Sequence, residues 1–147
     1  NKGLILQKKT LKRIVALDFG TKRTGVAVTD PLQMIAFGLD TVETKDLIPF
    51  LKEYTKTEAV ATFVIGEPKQ MDHSASESEV YIKAFMSDLA LAFPQIPMVR
   101  QDERFTSKMA VQAMIASGMK KKKRQEKGQV DQVSATLILQ AYLNRIS

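Results

Sequence analysis

Residues 13–28 read Arg-Ile-Val-Ala-Leu-Asp-Phe-Gly-Thr-Lys-Arg-Thr-Gly-Val-Ala-Val, and this stretch decides the fold. Residues 13–17 form a nearly continuous apolar run, the pattern of a strand covered on both faces. It ends on a carboxylate, Asp18. Gly20 and Gly25 bracket a polar turn, and residues 25–29 read as a second strand folded back on the first. Asp30-Pro31 closes that strand. Residues 34–42 supply a third, in which Gly38 marks a bulge or a weak point.

Working outward, helical and strand patterns alternate. Thr44 is placed to N-cap a helix carrying Leu47, Ile48, Leu51 and Tyr54, with Pro49 tolerated near its first turn. Residues 59–65 are another buried strand, closed by Gly66-Glu67-Pro68. After a polar loop, residues 69–76, a helix carries Val80, Ile82, Phe85, Met86, Leu89 and Phe93. A short strand at 98–100 follows. A helix then runs from about Thr106 through Ile115, stopped by Ser117-Gly118, and a last helix spans about 129–144. The order β-β-β-α-β-α-β-α-α predicts an α/β fold. Its mixed five-stranded sheet would be a three-strand meander followed by alternating helices and strands, with helices on both faces. The length of 147 residues suits one core. Residues 1–12 read as an N-terminal extension, partly disordered or tag-derived, and residues 13–147 as a single domain.

Composition narrows the function. There is no cysteine, so neither a disulfide framework nor a thiolate metal site is available. No apolar run approaches the roughly 20 residues needed to span a bilayer, and Leu4-Ile5-Leu6 is too short for a signal-peptide core. A cytoplasmic protein is expected. The net charge of +6 favours a polyanionic partner. The charge is concentrated in an unbroken run, Lys120, Lys121, Lys122, Lys123 and Arg124, read as a solvated loop able to touch phosphate. The single histidine, His73, sits in a polar loop and is assigned no chemistry.

Three acidic residues fall where open sheets gather their chemistry. Asp18 ends the most apolar strand, where a carboxylate is costly to bury unless it is paired or holds a cation. Capping the turn at Thr21 or Lys22 is the plainer alternative. Glu103 follows the short strand beside Asp102, and the two would point opposite ways if the strand continues. A cap paired with Arg104 would also account for Glu103. Asp131 lies in the first turn of the last helix, at the edge of an apolar stripe of Val130, Val133, Leu137, Ile138 and Ala141. There it also complements the helix dipole. Small neighbours, Ser134 and Ala135, would let that helix approach the sheet closely. Together the three suit hard cations. Mg²⁺ prefers oxygen ligands, and two such ions about 4 Å apart can promote phosphodiester cleavage.

Four blocks resemble the YqgF (RuvX) family: residues 17–27, Val64-Ile65-Gly66-Glu67-Pro68, Asp102-Glu103-Arg104-Phe105-Thr106, and residues 131–140 (Asp-Gln-Val-Ser-Ala-Thr-Leu-Ile-Leu-Gln). Their order and spacing fit across essentially the whole chain from Arg13. Two departures, His73 where relatives carry glycine and Ser134 where they carry alanine, touch no implied ligand. The resemblance implies an RNase H-like fold and a two-metal nuclease. Asp18, Glu103 and Asp131 would be its catalytic and metal-binding residues, and Mg²⁺ or Mn²⁺ its cofactor. It further implies maturation of the 5′ end of pre-16S rRNA near the small-subunit precursor, with a four-way DNA junction as the alternative substrate.

Phosphate contacts are expected from Lys22, Arg23, Lys69, Arg104 and the 120–124 run. Glu67 or Asp102 could supplement the carboxylates. No obvious dimer face is visible, which fits a monomer or weak homodimer. Two rivals remain. A non-catalytic nucleic-acid-binding module is opposed by the retained carboxylates. An ATP-handling protein, suggested by Asp18, Gly20, Thr21 and Gly25, is opposed by a chain with room for only one lobe.

Overall fold

The computed structural model describes residues 11–70, 76–103, 106–124, 126 and 128–147, with backbone alone at 106–108 and 124. Most of the expected N-terminal extension, His73 and Arg104 lie outside the described residues. The elements are β1 (Arg13–Asp18), β2 (Arg23–Thr29), β3 (Ala36–Glu43), a 3₁₀ turn (Thr44–Asp46), α1 (Leu47–Tyr54), β4 (Val60–Glu67), α2 (Glu79–Ala92), β5 (Met98–Asp102), α3 (Thr106–Ala116), α4 (Lys121–Arg124) and α5 (Gln129–Ile146). The five strands form one sheet in the order β3-β2-β1-β4-β5. β1, β2 and β3 are an antiparallel meander, while β4 and β5 run parallel to β1. The expected mixed sheet is therefore what forms, and the most apolar strand is its centre. The register slips between Val26 and Ala27, which pair with Asp40 and Gly38. That irregularity is the bulge anticipated at Gly38.

Strand alternation divides the core in two. On one face Val15, Leu17, Val26, Val28, Phe63 and Ile65 pack under α1 and α2, meeting Leu47, Leu51, Ile82, Phe85 and Leu89. On the other, Ile14, Ala16, Ala27 and Val64 pack under α5, meeting Ala135, Ile138, Leu139 and Leu143. Asp18 is in step with Ile14 and Ala16, and so belongs to the α5 face. Phe19 packs with the α1/α2 face, its ring centroid 5.1 Å from that of Phe85.

Four local expectations change. Thr44 does not cap α1. Its hydroxyl donates instead to the Gly20 carbonyl at 2.5 Å and bonds Thr24 Oγ1 at 2.8 Å, tying down the β1–β2 turn. Val80 is 74% exposed. At about 100° per residue it lies nearly opposite Ile82, which takes the core position. The basic run is not a loop throughout, because Lys121–Arg124 closes a short helical turn. Finally, α5 buries Ser134, Ala135, Ile138, Leu139 and Leu143 rather than the larger stripe expected. Only Ile138 is common to both. Ser134 and Ala135 lie against the sheet as expected, and Ile138, Leu139 and Leu143 fill the core farther along the helix.

Candidate active site

Asp18 and Glu103 meet where one of two glycines leaves room, and the other glycine admits the backbone of the helix turn that carries Asp131. Across the antiparallel register Asp18 pairs with Gly25. On its other side Leu17 pairs with Ile65, which places Gly66 beside Asp18. A β-carbon on Gly25 would strike the backbone carbonyl of Asp131, and one on Gly66 would stand 2.7 Å from the carboxyl carbon of Glu103. The missing side chains thus clear two berths flanking Asp18. The first turn of α5 occupies one, and the Glu103 carboxyl occupies the other.

Alternation explains which acid arrives. β5 continues to Asp102, so Val99, Gln101 and Glu103 fall on the α5 side. Arg100 falls on the other, forking onto Glu79 of α2 at 2.8 and 3.0 Å. Asp102 is in step with Arg100 rather than with Glu103. Glu67 likewise follows Phe63 and Ile65, and its ion pairs are with Lys69 at 3.5 Å and Arg100 at 3.9 Å. Glu67 does not join the carboxylate group, while Asp102 acts on it only through its charge, which adds to the rise of Glu103.

Electrostatics show how tight the group is. Glu103 and Asp18 share a side-chain hydrogen bond. Burial pushes Glu103 up to about 9, and the charge of Asp18 and that hydrogen bond add to the rise. Burial also raises Asp18, to about 6, against the lowering effect of the bond it accepts, while the charge of Asp131 raises it further. The proton therefore rests on Glu103, which donates to Asp18. Asp131 stands off this pair, its Oδ2 accepting from Arg23 Nε at 3.2 Å. Among the described residues no three acidic or histidine side chains stand close enough together to form a metal cage. Asp18 is nonetheless between the other two, touching one and sensing the other.

The expected phosphate-binding residues are more scattered. Arg23 is at the carboxylates, in an ion pair rather than free. Lys22 is exposed on the adjoining turn, and Lys69 is half-buried against Glu67. Lys120, Lys121, Lys122 and Lys123 are exposed just ahead of α5, with Lys123 reaching Glu126 at 3.0 Å. The side chain of Arg124, like the whole of Arg104, lies outside the described residues. The sequence reading missed the clearing role of Gly25 and Gly66, and it missed Lys45, which lines a pocket with Lys22 and Arg23. The glycines had a signal: each occupies a strand position next to Asp18 once the hairpin and the parallel pair are aligned.

Known proteins resemble this chain over nearly its whole length. Residues 12–145 match the family model RuvX, described as Holliday junction resolvase. A protein of Christiangramia forsetii named "Putative pre-16S rRNA nuclease" is 59% identical over 90% of this chain and 98% of its own length. Relatives of the same name from Flavobacterium johnsoniae and Porphyromonas gingivalis are each 52% identical, over 91% and 90% of this chain and 97% and 96% of their own. Among solved structures, Thermus thermophilus RuvC in complex with a Holliday junction substrate superposes with a TM-score of 0.56 at 14% identity. That match covers 92% of this chain and 96% of RuvC. At such identity it speaks for the fold alone, which is RNase H-like. With the family model spanning nearly the whole described domain, the chain belongs to the RuvX family of nucleases, hydrolases of phosphodiester bonds.

Proposed function

We propose that this nuclease matures the 5′ end of pre-16S rRNA in the cytoplasm, with Asp18, Glu103 and Asp131 as its catalytic and metal-holding carboxylates. The observation that carries the reading is Asp18 at the glycine-cleared end of β1, hydrogen-bonded to Glu103 and within electrostatic reach of Asp131. The donor set fits a hard dication. It is all oxygen, and it crowds like charges that bury poorly unless a cation or a proton compensates them. Asp18, lying between the others, would be the shared ligand, with Glu103 and Asp131 holding either side. Bound Mg²⁺ or Mn²⁺ would make an attacking water acidic enough to ionise and would neutralise the leaving oxygen.

The remaining work falls to side chains of this chain. Glu103 must release its proton to water before both carboxylates can act as ligands. Arg23 holds Asp131 in place until then. Lys22, Lys69, Arg104, Arg124 and the exposed lysines at 120–123 would fix the phosphate backbone without reading bases. A monomer, or a weak homodimer, docking on the small-subunit precursor suffices for cutting one strand.

RNA is preferred because the relatives at 59% and 52% identity carry that name. The description of the family model favours a second reading, cleavage of four-way DNA. One experiment separates them: Mg²⁺- or Mn²⁺-dependent cleavage of a labelled 5′-extended pre-16S rRNA and of a synthetic four-way junction, by wild type and Asp18→Asn. Cleavage of the RNA alone, lost in the variant, is the expected result. Cleavage of the junction alone would transfer the assignment to the resolvase reading. Full activity in Asp18→Asn would remove the carboxylates from the mechanism.

A further inference from the structure

Around the end of β1 from the carboxylates, on the opposite face of the sheet, lies a cavity of about 510 Å³ walled by Phe19, Ile48, Tyr81, Ala84 and Phe85. That volume lies within the roughly 300–1,000 Å³ typical of small-ligand sites. Its wall is unusual for a basic protein surface. Phe19 and Phe85 form a tilted aromatic pair, and Tyr81 is 59% exposed. We infer that this cavity takes one unpaired nucleobase of the strand being cut, while the adjoining basic pocket takes that nucleotide's phosphate.

Continuity with the active site supports this occupant. Phe19 directly follows Asp18 in the chain. Thr21 and Lys45 line the cavity and also a second pocket of about 340 Å³ that adds Lys22 and Arg23. Arg23 in turn bonds Asp131 at 3.2 Å. A polyanionic strand thus has a cationic path from the carboxylates around the sheet end to the aromatic wall. Charge also sorts the two halves of a nucleotide. Asp88 lines the cavity, where it disfavours a phosphate and can accept from an exocyclic amino group. In the second pocket Lys45 stands 3.5 Å from Glu43 and Arg23 pairs with Asp131, so exposed Lys22 is the cation placed to take the phosphate. A flat, uncharged, amino-bearing ring attached to a phosphodiester matches both halves. Stacking of a base on an aromatic side chain is sequence-tolerant, which suits a processing enzyme.

The inference rests on the nuclease reading for its substrate, but its test does not depend on cleavage. Affinity is measured by fluorescence anisotropy in chelator, using a labelled RNA octamer and the same ribose-phosphate backbone with every base removed. The wild type should bind the intact strand on the order of tenfold more tightly. Ala84→Leu fills the cavity from an exposed helical position, and Tyr81→Ala removes the ring. Both should abolish the preference while the base-free strand binds as before with the same salt dependence. Circular dichroism melting of the two variants verifies that each is folded. Equal binding of the two strands by wild type, or a preference that survives both variants, would overturn the subsite. A preference erased by both variants, in a protein that cleaves nothing, would keep the subsite and sink the nuclease reading instead.

Discussion

The two faces of the sheet are built to different rules. The α1/α2 face is filled by bulk: Leu17, Phe63 and Ile65 lie under Leu47, Leu51, Ile82 and Leu89, all fully buried. The α5 face has its own apolar core, Ile14 and Val64 under Ile138, Leu139 and Leu143, but near Asp18 it is filled by omission, with Gly25 and Gly66 beside the first turns of the helix. Large side chains hold the first pair of layers together through buried apolar area, about 25 cal/mol per Å². Small ones give up some of that area so that a helix backbone and two carboxyls can crowd one strand end. Successive residues of β1 alternate between the two faces, so Leu17 enters the larger core and Asp18 the strand end proposed to carry the chemistry.

Substitutions on adjacent residues should separate the two roles. Asp18→Asn is expected to lower cleavage by at least about a thousandfold, a loss of the size seen when preorganised charge stabilisation is removed. Its melting temperature should be unchanged or raised, because a charge that burial and the neighbouring Asp131 both oppose has gone. Leu17→Ala, one residue earlier, should cost about 2–5 kcal/mol in denaturant unfolding while leaving kcat per folded molecule near wild type. If Leu17→Ala removed activity as completely as Asp18→Asn, the division between the faces would fail.

The glycines test the same division from the other direction. A methyl at Gly25 pushes against the Asp131 backbone, which belongs to α5 and cannot move alone, so about 1–3 kcal/mol of stability should be lost along with activity. A methyl at Gly66 meets only the carboxyl end of Glu103, which can swing away. Gly66→Ala should therefore melt close to wild type yet cleave poorly. Equal destabilisation by both would mean that Gly66 is there for packing rather than to seat Glu103.

Protonation gives a smaller effect with a definite sign. Both Asp18 and Glu103 bind protons more tightly folded than unfolded, Glu103 up to about 9 and Asp18 to about 6. Their contribution to stability is fully present below about pH 4 and is lost as pH rises through those two values. Metal-free Glu103→Gln keeps the hydrogen bond without the second charge. It should melt like wild type at pH 5 and exceed it by about 1 kcal/mol or more at pH 9. Melting curves in chelator that stay parallel across pH 5–9 would show that the two carboxyls do not share a proton.

Much of this was legible in the sequence, and the limits have physical causes. The run at 13–17 announced a central strand because burial on both faces demands it, and Asp18 stood out as the charge ending that run. Whether Asp102 or Glu103 faced the site depended on β5 continuing to Asp102, which its short apolar stretch did not reveal. The buried face of α5 was misjudged because apolar size was taken as the guide. The small residues Ser134 and Ala135, expected to let the helix approach the sheet, are part of the buried face itself, together with Leu139 and Leu143. The ion pair between Arg23 and Asp131 joins residues 108 apart, and no local pattern encodes it. The aromatic cavity was invisible for the same reason, since its walls come from the end of β1, from α1 and from α2.

The smallest expected effect concerns the basic turn. Lys121, Lys122 and Lys123 are exposed, and α4 sits immediately before the helix that carries Asp131. We propose that their charges meet the strand entering the site, yet surface lysines gain little from any single ion pair in water. Replacing all three with glutamine should therefore leave the fold and kcat intact and weaken RNA binding modestly at physiological salt. The sharper signature is the salt dependence. Each phosphate left without its lysine lowers the slope of log K against log salt by about 0.7 for a single strand, so the slope should fall by roughly 2. An unchanged slope would take α4 out of the interface and leave Lys22, Arg23 and Lys45 as the cations that guide the strand. That outcome would confine nucleic-acid binding to the β1 end of the sheet, where the two faces meet.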